Sequence, residues 1–432
     1  MVPSRYNFII KSERFECYFL YNSLSGAFFK LDEEKYQSVI KILNNPESIS
    51  DLELFQQLVD NKILVEDNRI EFFKFELAKN ISRLNRNFLS LTIAPTSDCN
   101  FNCSYCFENS PTPINMNDCV EDELIEFIKK HNDIKSLSVT WYGGEPMLVF
   151  DRIASITEKI KLLKVEYSAN MVTNGFSFDK ESIEALEGLK IRSVHISLDG
   201  LEHTHNKRRP HKTKNETFDC IVNNIGLISE LSPNTKIIIR VNVDKENRHE
   251  YHKVYKYLKN LYGAKITNIY PGFVKKTYGK CDSPEEMLLS NEEQTDFLLE
   301  QYQKYGIIDF SHFLPDSFYS ECIARSVNGY LVAPDGHLYK CWTDLGNLNE
   351  AIGHLSGKEF NADNLAKYMV GCDPFHDEKC RECKFLPVCG GGCPHFRLKN
   401  LFHGAKADLC HLSKSKLDSF IEIYYEKNHS NT

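Results

Sequence analysis

Apolar residues between Phe88 and about Val274 follow two periodicities that alternate along the chain. Six short runs rich in β-branched and aromatic residues predict strands; they are Phe88–Ala94, Ser136–Tyr142, Tyr167–Thr173, Ile191–Leu198, Lys236–Val243 and Ile266–Phe273. Between these runs, apolar residues recur every three or four positions, which predicts helices. Because alternating strands and helices form parallel sheets, we predict an α/β fold whose six units make an incomplete barrel. Sites in such barrels lie at the carboxyl ends of the strands.

Residues 1–85 follow a different pattern. Short strands are predicted at Phe8–Ile10, Cys17–Tyr21 and Ala27–Leu31, helices at Tyr36–Leu43 and Leu52–Asp60, and a closing strand at Ile63–Asp67. This order is typical of a small winged-helix domain. Residues 68–87 are charged and predict a helical linker to the barrel. We therefore divide the chain into three domains, at residues 1–85, 86–310 and 311–432.

Three cysteines directly follow the first strand of the predicted barrel. Cys99, Cys103 and Cys106 have the spacing Cys-x3-Cys-x2-Cys. Three thiolates on a short loop can hold three corners of a 4Fe-4S cube and leave the fourth iron open to a small molecule. A zinc loop, or three unrelated thiols, is the alternative.

The stretch from Cys99 to Cys106, with the aromatic Tyr105 before its last cysteine, resembles the signature of radical S-adenosylmethionine (SAM) enzymes. The resemblance implies a partial (β/α)6 radical SAM barrel whose cube binds SAM through the open iron. It also implies that a 5'-deoxyadenosyl radical derived from SAM removes hydrogen from an unactivated carbon of the substrate. No catalytic acid or base can be named from the sequence.

Further motifs at the ends of the predicted strands resemble SAM-binding elements of the same family. The Gly-Gly-Glu motif follows the second strand, and the stretch from Ser197 to Arg209 resembles one in sulfatase-maturating enzymes whose serine and arginine contact SAM. Polar side chains after the third and fourth strands are suited to the ribose, and the fork of an arginine suits a carboxylate. The expected SAM-binding residues are Tyr105, Gly143, Gly144, Glu145, Thr173, Asn174, Ser197, Asp199, Arg209 and Arg240. For both arginines a surface salt bridge is the alternative.

Seven cysteines near the carboxyl end resemble the pattern of the SPASM domain, which carries auxiliary iron-sulfur clusters. They are Cys322, Cys341, Cys380, Cys383, Cys389, Cys393 and Cys410. Seven ligands exceed one tetrahedral zinc site, although a zinc ribbon is the alternative. The resemblance implies three 4Fe-4S clusters in all, one binding SAM and two auxiliary.

The same resemblance assigns the auxiliary ligands. It implies that the outer cluster is held by Cys380, Cys383, Cys389 and Cys410, and the inner cluster by Cys322, Cys341 and Cys393. The inner cluster is one ligand short, because sulfatase-maturating relatives have a cysteine where this chain has Asp316. Cys372 and Cys281 are candidates for that ligand. Alternatively, the corner is open and could bind a substrate thiolate or take an electron from a substrate radical.

Composition narrows the class of partner. The 432 residues contain 52 Lys and Arg against 60 Asp and Glu, for a net charge of −8, and no long basic run. We therefore expect no nucleic-acid or membrane partner. We expect no signal peptide, because the first residues lack an apolar stretch, and no window approaches the roughly 20 apolar residues that cross a bilayer. We expect a cytoplasmic protein, in which the 15 cysteines suit metal ligation better than disulfides.

The amino-terminal pattern resembles the precursor-recognition domain of ribosomal peptide maturation. Such a domain binds an extended leader peptide by adding it to a sheet edge. We therefore expect a precursor peptide as substrate, a thioether or carbon-carbon side-chain crosslink as product, and a flavodoxin- or ferredoxin-like electron donor.

Other functions stay open on the sequence alone. They are a structural or DNA-binding winged helix at the amino terminus, an iron-sulfur electron carrier, and a sulfatase-maturating enzyme that forms formylglycine. The amino-terminal domain disfavours the sulfatase-maturating function. So does Trp342, which follows Cys341 where that family's proposed acidic base is expected.

Overall fold

The computed structural model describes residues 1–47, 51–108, 112–214, 216–276, 284–307 and 322–429. Its amino-terminal elements are β1 (Val2–Pro3), β2 (Asn7–Ser12), β3 (Cys17–Asn22), β4 (Phe28–Leu31), α1 (Glu33–Asn44), α2 (Leu52–Asp60), β5 (Leu64–Val65) and α3 (Asn68–Arg83). The three predicted strands are confirmed as an antiparallel sheet in the order β2-β3-β4. The closing strand β5 does not join that sheet. It pairs with β1 in a separate two-stranded sheet.

The helix predicted within residues 68–87 is confirmed as α3, but its role as a linker is not. Asp67 caps its first turn by accepting hydrogen bonds from the backbone N–H groups of Arg69 and Ile70. The helix is not a free spacer, because Phe72 and Phe75 are buried in a cluster with residues of the carboxyl-terminal region. Charged residues on its other faces gave it the composition of a linker.

The central region has the alternation that the sequence predicts. Its elements are β6 (Phe88–Ile93), α4 (Asp118–Lys130), β7 (Ser136–Trp141), α5 (Phe150–Lys161), β8 (Glu166–Thr173), α6 (Lys180–Gly188), β9 (Ile191–Ser197), α7 (Glu202–Arg208), α8 (Phe218–Leu231), β10 (Lys236–Val243), α9 (Tyr251–Tyr262), β11 (Ile266–Phe273) and α10 (Asn291–Tyr305). Strands β6 to β11 are parallel neighbours in chain order. The six predicted strands are confirmed, with ends that differ by at most one residue.

The carboxyl-terminal region extends the same sheet. Its elements are β12 (Gly329–Val332), β13 (His337–Tyr339), β14 (Gly353–His354), α11 (Ala362–Ala366), a π-helical turn (Lys367–Gly371), α12 (Glu378–Arg381), α13 (Leu386–Cys389), α14 (Pro394–His403) and α15 (Leu417–His429). Strand β12 pairs in parallel with β6, and β13 and β14 follow it, so the sheet has nine strands. Among the helices described, none is long and apolar enough to cross a bilayer.

Side chains alternate between the two faces of each barrel strand. In β10, Ile237, Ile239 and Val241 belong to the main hydrophobic core, whereas Arg240 and Asn242 have the opposite parity. Burying each aliphatic side chain contributes about 1.5–3 kcal/mol. The apolar face is therefore fixed against the surrounding helices, and polar residues are left to the inner face.

The amino-terminal sheet packs on the cysteine-rich region. Phe19 shares a buried cluster with Val388 and Ile421, and the rings of Phe8 and Phe385 meet edge to face at 5.4 Å. Polar contacts add to this interface, as in the hydrogen bond from Ser23 to the Lys384 carbonyl. The two ends of the chain thus stabilise each other across the loops that carry the last cysteines.

Candidate active site

Two glycines after β7 hold the loop that carries Cys99, Cys103 and Cys106. Gly143 has φ +114°, and a Cβ there would lie 2.5 Å from the Thr96 carbonyl oxygen. A Cβ on Gly144 would lie 2.0 Å from the Asp98 carbonyl oxygen. Backbone hydrogen bonds from Gly144 to Thr96 and from Glu145 to Asp98 close the contact. Glycine is therefore required at both positions for the cysteine loop to lie this close to the sheet.

Glu145 joins the ends of β7 and β8. Its side chain is 1% exposed and accepts hydrogen bonds from the Thr173 hydroxyl at 2.6 Å and from the Asn174 backbone N–H at 2.7 Å. Burial raises the pKa of this carboxyl group, and those hydrogen bonds oppose the shift. The structure thus brings three of the expected SAM-binding residues into one buried hydrogen-bonded unit.

Asn100 is a residue that the sequence analysis missed. It lies between the cysteines, where its side-chain oxygen accepts a hydrogen bond from the Asn174 side chain at 2.7 Å and its amide donates to Ser177 at 3.0 Å. These bonds fix the cysteine loop against the end of β8. In the sequence, the one sign of this role was the position of Asn100 between Cys99 and Cys103.

Tyr105 and Asp199 form the centre of a second buried network. The Tyr105 hydroxyl donates to the Asp199 carboxylate and accepts from Arg209 and from the Asn242 amide. Asn242 also donates to Asp199, through its side chain at 3.0 Å. The carboxylate expected to bind ribose therefore holds Tyr105 and Asn242. Asn242 was missed, although its inward parity on β10 was readable from the sequence.

Arg209 fits a carboxylate ligand. The side chain is 8% exposed, one nitrogen donates to Tyr105, and its Nε has no hydrogen-bond partner within the described residues. A buried guanidinium nitrogen without an acceptor costs free energy unless a ligand supplies one. The planar fork of arginine matches a carboxylate, such as that of the methionine part of SAM.

Ser197 and Arg240 occupy paired positions on β9 and β10. Arg240 is exposed and lies over Gly272 of β11, where a Cβ would be 2.2 Å from its Nε. Arg240 makes no salt bridge within the described part of the chain. The surface ion pair that was its alternative explanation is therefore not observed there.

The three thiols of the loop suit a metal cluster. Burial raises the pKa of Cys99 to about 12 and that of Cys106 to about 11. Burial also raises the pKa of Cys103, while the adjacent Arg209 opposes the shift. Thiolates form in such a setting when a metal replaces the proton. The three thiols line one small cavity together with Gly144, and three soft donors suit iron in a sulfide cluster.

The four cysteines expected to hold the outer cluster influence one another. Burial raises the pKa of Cys389, and the Cys410 and Cys383 thiols act in the same direction. Two of the four have a cationic neighbour: Arg397 donates to the Cys380 sulfur at 3.1 Å, and Lys414 lies 3.8 Å from the Cys410 sulfur. Such contacts stabilise thiolates.

The three cysteines expected to hold the inner cluster lie at the start of other elements. Burial raises the pKa of Cys341, and Asp344 and Cys393 add to the shift. Burial lowers the pKa of the Lys340 amine, and the nearby Cys322 opposes that shift. The amine donates hydrogen bonds to the carbonyls of Ser326 and Gly329.

Of the two candidates for the missing fourth ligand, Cys372 lies within the described residues. Cys372 is fully buried, and its thiol donates to the Tyr368 carbonyl at 3.0 Å. Cys281 and Asp316 lie outside the described residues.

The cysteine loop coincides with a match to a family model. The model of the radical SAM superfamily matches residues 93–258, which include the cysteine loop and the ends of β6 to β10. The chain is 24% identical over 371 residues to a cysteine-type anaerobic sulfatase-maturating enzyme of Clostridium novyi (strain NT), covering 79% of this chain and 95% of that protein. It is 23% identical over 425 residues to the radical SAM cyclopropyl synthase TigE of Paramaledivibacter caminithermalis, covering 87% and 85%.

A solved structure shares the fold over nearly the whole chain. Streptococcus suis SuiB, bound to precursor peptide SuiA, superimposes with a TM-score of 0.56 at 16% identity, covering 96% of this chain and 99% of that one. The family match, the barrel and the three-cysteine loop agree on a 4Fe-4S cluster and SAM as cofactors. Residues 93–258 are therefore a radical SAM domain, and the chain is an enzyme.

Proposed function

We propose that this enzyme modifies a ribosomally made precursor peptide and links two of its side chains by a thioether or carbon-carbon bond. One observation carries the proposal. A small amino-terminal sheet with an unpaired edge packs directly on the cysteine-rich region, rather than being tethered to it by a flexible linker. A peptide held on that sheet would therefore stay at a fixed position relative to the barrel.

Strand β4 offers the edge for the leader segment. It pairs with β3 on one side and with no other strand of the described residues. An extended peptide would add to such an edge through backbone hydrogen bonds, while pockets for alternate side chains give selectivity.

A cavity beside the amino-terminal sheet suits an apolar side chain of the leader. Its volume is about 370 Å³, and it lies between the β1-β5 sheet and helix α3. Val59, Val65 and Ile70 supply apolar lining, and Lys74 and Glu66 supply charge. The sheet edge and the cavity together support leader recognition by residues 1–85.

The residues of the barrel end hold the cofactors in this proposal. Cys99, Cys103 and Cys106 would bind the cluster, and Arg209 would bind the SAM carboxylate. When bound by these residues, the cluster and SAM would supply the 5'-deoxyadenosyl radical chemistry that takes a hydrogen atom from the substrate. The protein's part is to orient SAM and peptide and to exclude water, because positioned reactants react far faster than free ones. Glu145 and Asp199 act as positioning residues through Thr173 and Tyr105.

Joining two side chains removes two hydrogens from the peptide. One leaves as an atom that ends in 5'-deoxyadenosine, and the other leaves as a proton and an electron. The seven cysteines of the carboxyl-terminal region support two auxiliary clusters as the acceptors of that electron. A flavodoxin- or ferredoxin-like protein is the proposed donor for the cluster that binds SAM.

Formylglycine formation on a sulfatase is the second candidate. It is favoured by the match to the Clostridium novyi enzyme, which extends over 95% of that protein. The likeness to SuiB, which was solved with a precursor peptide bound, and to the cyclopropyl synthase TigE covers 96% and 87% of this chain and supports a peptide substrate instead. The neighbouring reading frames separate the two, because a short precursor frame supports peptide modification and a sulfatase gene contradicts it.

The experiment is an anaerobic incubation of the reconstituted enzyme with SAM, dithionite and a candidate precursor peptide, taken from any short reading frame found beside the gene. We expect 5'-deoxyadenosine and a peptide that has lost two hydrogens, with fragment ions missing between the linked residues. The Cys106→Ala variant should yield neither product, and Cys119→Ala, which changes an exposed cysteine of α4, should behave as wild type. Conversion of a cysteine to an aldehyde, without a crosslink, would contradict the proposal.

A further inference from the structure

The inner auxiliary cluster is assigned three cysteines, and the structure places a further donor beside one of them, Cys341. This inference rests on the proposed function, since it concerns a cluster that the proposal assigns to Cys322, Cys341 and Cys393. Among the described residues, one group of cysteine, histidine and acidic side chains has donor atoms that all lie within 4.8 Å of one another. The group comprises Cys341, Asp344 and His395.

His395 is buried without a hydrogen bond. It is 3% exposed, and neither ring nitrogen has a hydrogen-bond partner among the described residues. Buried imidazoles nearly always have partners, because an unsatisfied polar group costs about 1–3 kcal/mol. His395 lies two residues after Cys393, at the start of α14, so the chain that supplies one cysteine ligand also supplies the imidazole.

Asp344 lies beside that ring. Its Oδ1 lies 3.4 Å from His395 Nδ1, and its other oxygen accepts a hydrogen bond from the Tyr368 hydroxyl. Asp344 is itself 3% exposed. Histidines that ligate metals commonly direct their second ring nitrogen at a carboxylate, which fixes the tautomer and the ring plane. This arrangement leaves Nε2 of His395 for a metal.

Cys372 is a poorer candidate for the same role. Its thiol already donates to the Tyr368 carbonyl and packs against Ala324 and Leu398 in an apolar cluster. That cluster also packs against Cys341, but Cys372 already has a hydrogen-bond partner, whereas the His395 ring has none among the described residues.

We propose that His395 is the fourth protein ligand of the inner auxiliary cluster, bound through Nε2 while Asp344 holds Nδ1. The cluster is then closed, with three cysteines and one histidine, and it has no corner for a substrate thiolate. Its role is to accept an electron. Replacing a thiolate by a neutral imidazole raises the reduction potential of an iron-sulfur centre, which favours that role.

The test uses magnetic resonance to detect whether a histidine nitrogen is bound to the inner cluster. A variant with Cys99, Cys103 and Cys106 changed to alanine keeps the auxiliary clusters alone, at about 8 irons per chain for two cubes. With 15N-labelled histidine, the reduced sample should show the hyperfine coupling of a directly bound imidazole nitrogen. His395→Ala should lose that coupling, and His403→Ala, on the exposed side of the same helix, should keep it. His395→Cys should restore a full iron content without the coupling and with a lower reduction potential.

The outcomes separate this inference from the proposed function. About 8 irons without nitrogen coupling contradict the His395 assignment and leave the auxiliary clusters in place. Absence of auxiliary iron, or one zinc ion held by the three residues, contradicts the cluster itself. Mössbauer spectra of the 57Fe-labelled wild type and of His395→Ala, which need no triple variant, give an independent result. We expect one altered iron site in the variant, and unchanged spectra would overturn the assignment.

Discussion

The rings of Tyr142 and Trp342 lie against each other, with centroids 4.4 Å apart. Tyr142 follows β7 at the active-site end of the barrel, and Trp342 follows Cys341 in the cysteine-rich region. Burial raises the pKa of the Tyr142 hydroxyl well above its ordinary value, so the phenol stays neutral. This contact joins the end of the barrel that is proposed to bind SAM to the loop that carries Cys341, a proposed ligand of the inner cluster.

The aromatic junction predicts a separation between SAM cleavage and product formation. Trp342→Leu removes the indole beside Cys341 but leaves the residues of the barrel end in place. We expect 5'-deoxyadenosine to form at a rate near that of the wild type, while crosslinked peptide falls about tenfold, equivalent to ~1.4 kcal/mol. Trp342→Phe, which keeps an aromatic ring, should recover most of the product. Equal losses of both products in Trp342→Leu would show that the junction is structural.

Arg209 should be intolerant of a conservative change. Lysine keeps the charge but loses the planar fork, and such a replacement is not equivalent at a carboxylate site. Loss of one charge-assisted hydrogen bond, at about 1.5–3 kcal/mol, predicts a 10- to 100-fold higher Kd for SAM in Arg209→Lys. Anaerobic calorimetry on the reconstituted enzyme measures it. The control is Arg192→Lys, an exposed arginine on β9; equal Kd values for the two variants would count against the assigned contact.

The cavity beside helix α3 gives a test of leader recognition that leaves the fold intact. Ile70 lines the cavity and is 45% exposed, whereas Ile81, 64% exposed on the same helix, does not line it. Ile70→Glu should weaken binding of a fluorescent precursor peptide about tenfold by anisotropy, and Ile81→Glu should not. If Ile70→Glu binds the peptide as tightly as the wild type does, the cavity does not take part in leader recognition.

Deleting residues 1–85 is a poorer experiment than those substitutions. The deletion would expose Phe385, Val388 and Ile421, which the amino-terminal sheet covers, and it would remove α3 from beside Phe375. Loss of activity would then reflect damage to the cysteine-rich region as much as loss of peptide binding.

The buried contacts of Glu121 predict how the free energy of unfolding depends on pH. Its carboxylate is 1% exposed and bonds to Ser155, Lys159 and Arg152 across α4 and α5. Burial alone would raise its pKa, but these three partners lower it below the ordinary value. The stabilisation is thus present at neutral pH and is lost as pH falls through the lowered pKa. Glu121→Gln should reduce the free energy of unfolding by about 2 kcal/mol at pH 7. In denaturation series the difference from wild type should shrink on acidification; a constant difference would contradict the shift.

The sequence was informative where local pattern decides structure. Strand ends such as Val243 and Phe273 follow from the change of periodicity, and the Gly143-Gly144 pair signals a close backbone approach. Partners that are distant in the chain were not readable. His395 meets Asp344 through packing of α14 against a turn about fifty residues earlier, and no local pattern records that.

Asp199 illustrates the same limit within the active site. The sequence placed a carboxylate after β9, but both of its oxygens are bonded by Tyr105 and Asn242 in the fold. Helix α3 was predicted as a linker because its charged residues dominate its composition. Its two buried phenylalanines find their partners near residue 375, which only the tertiary structure reveals.

The most direct measurement follows a hydrogen from the peptide. Incubation of the reconstituted enzyme with SAM, dithionite and a precursor peptide deuterated at the side-chain carbons should yield 5'-deoxyadenosine that carries deuterium, together with the crosslinked peptide. Both should be absent in Cys106→Ala. Release of 5'-deoxyadenosine without deuterium, or no release in the presence of a full complement of iron, would contradict hydrogen abstraction from the peptide.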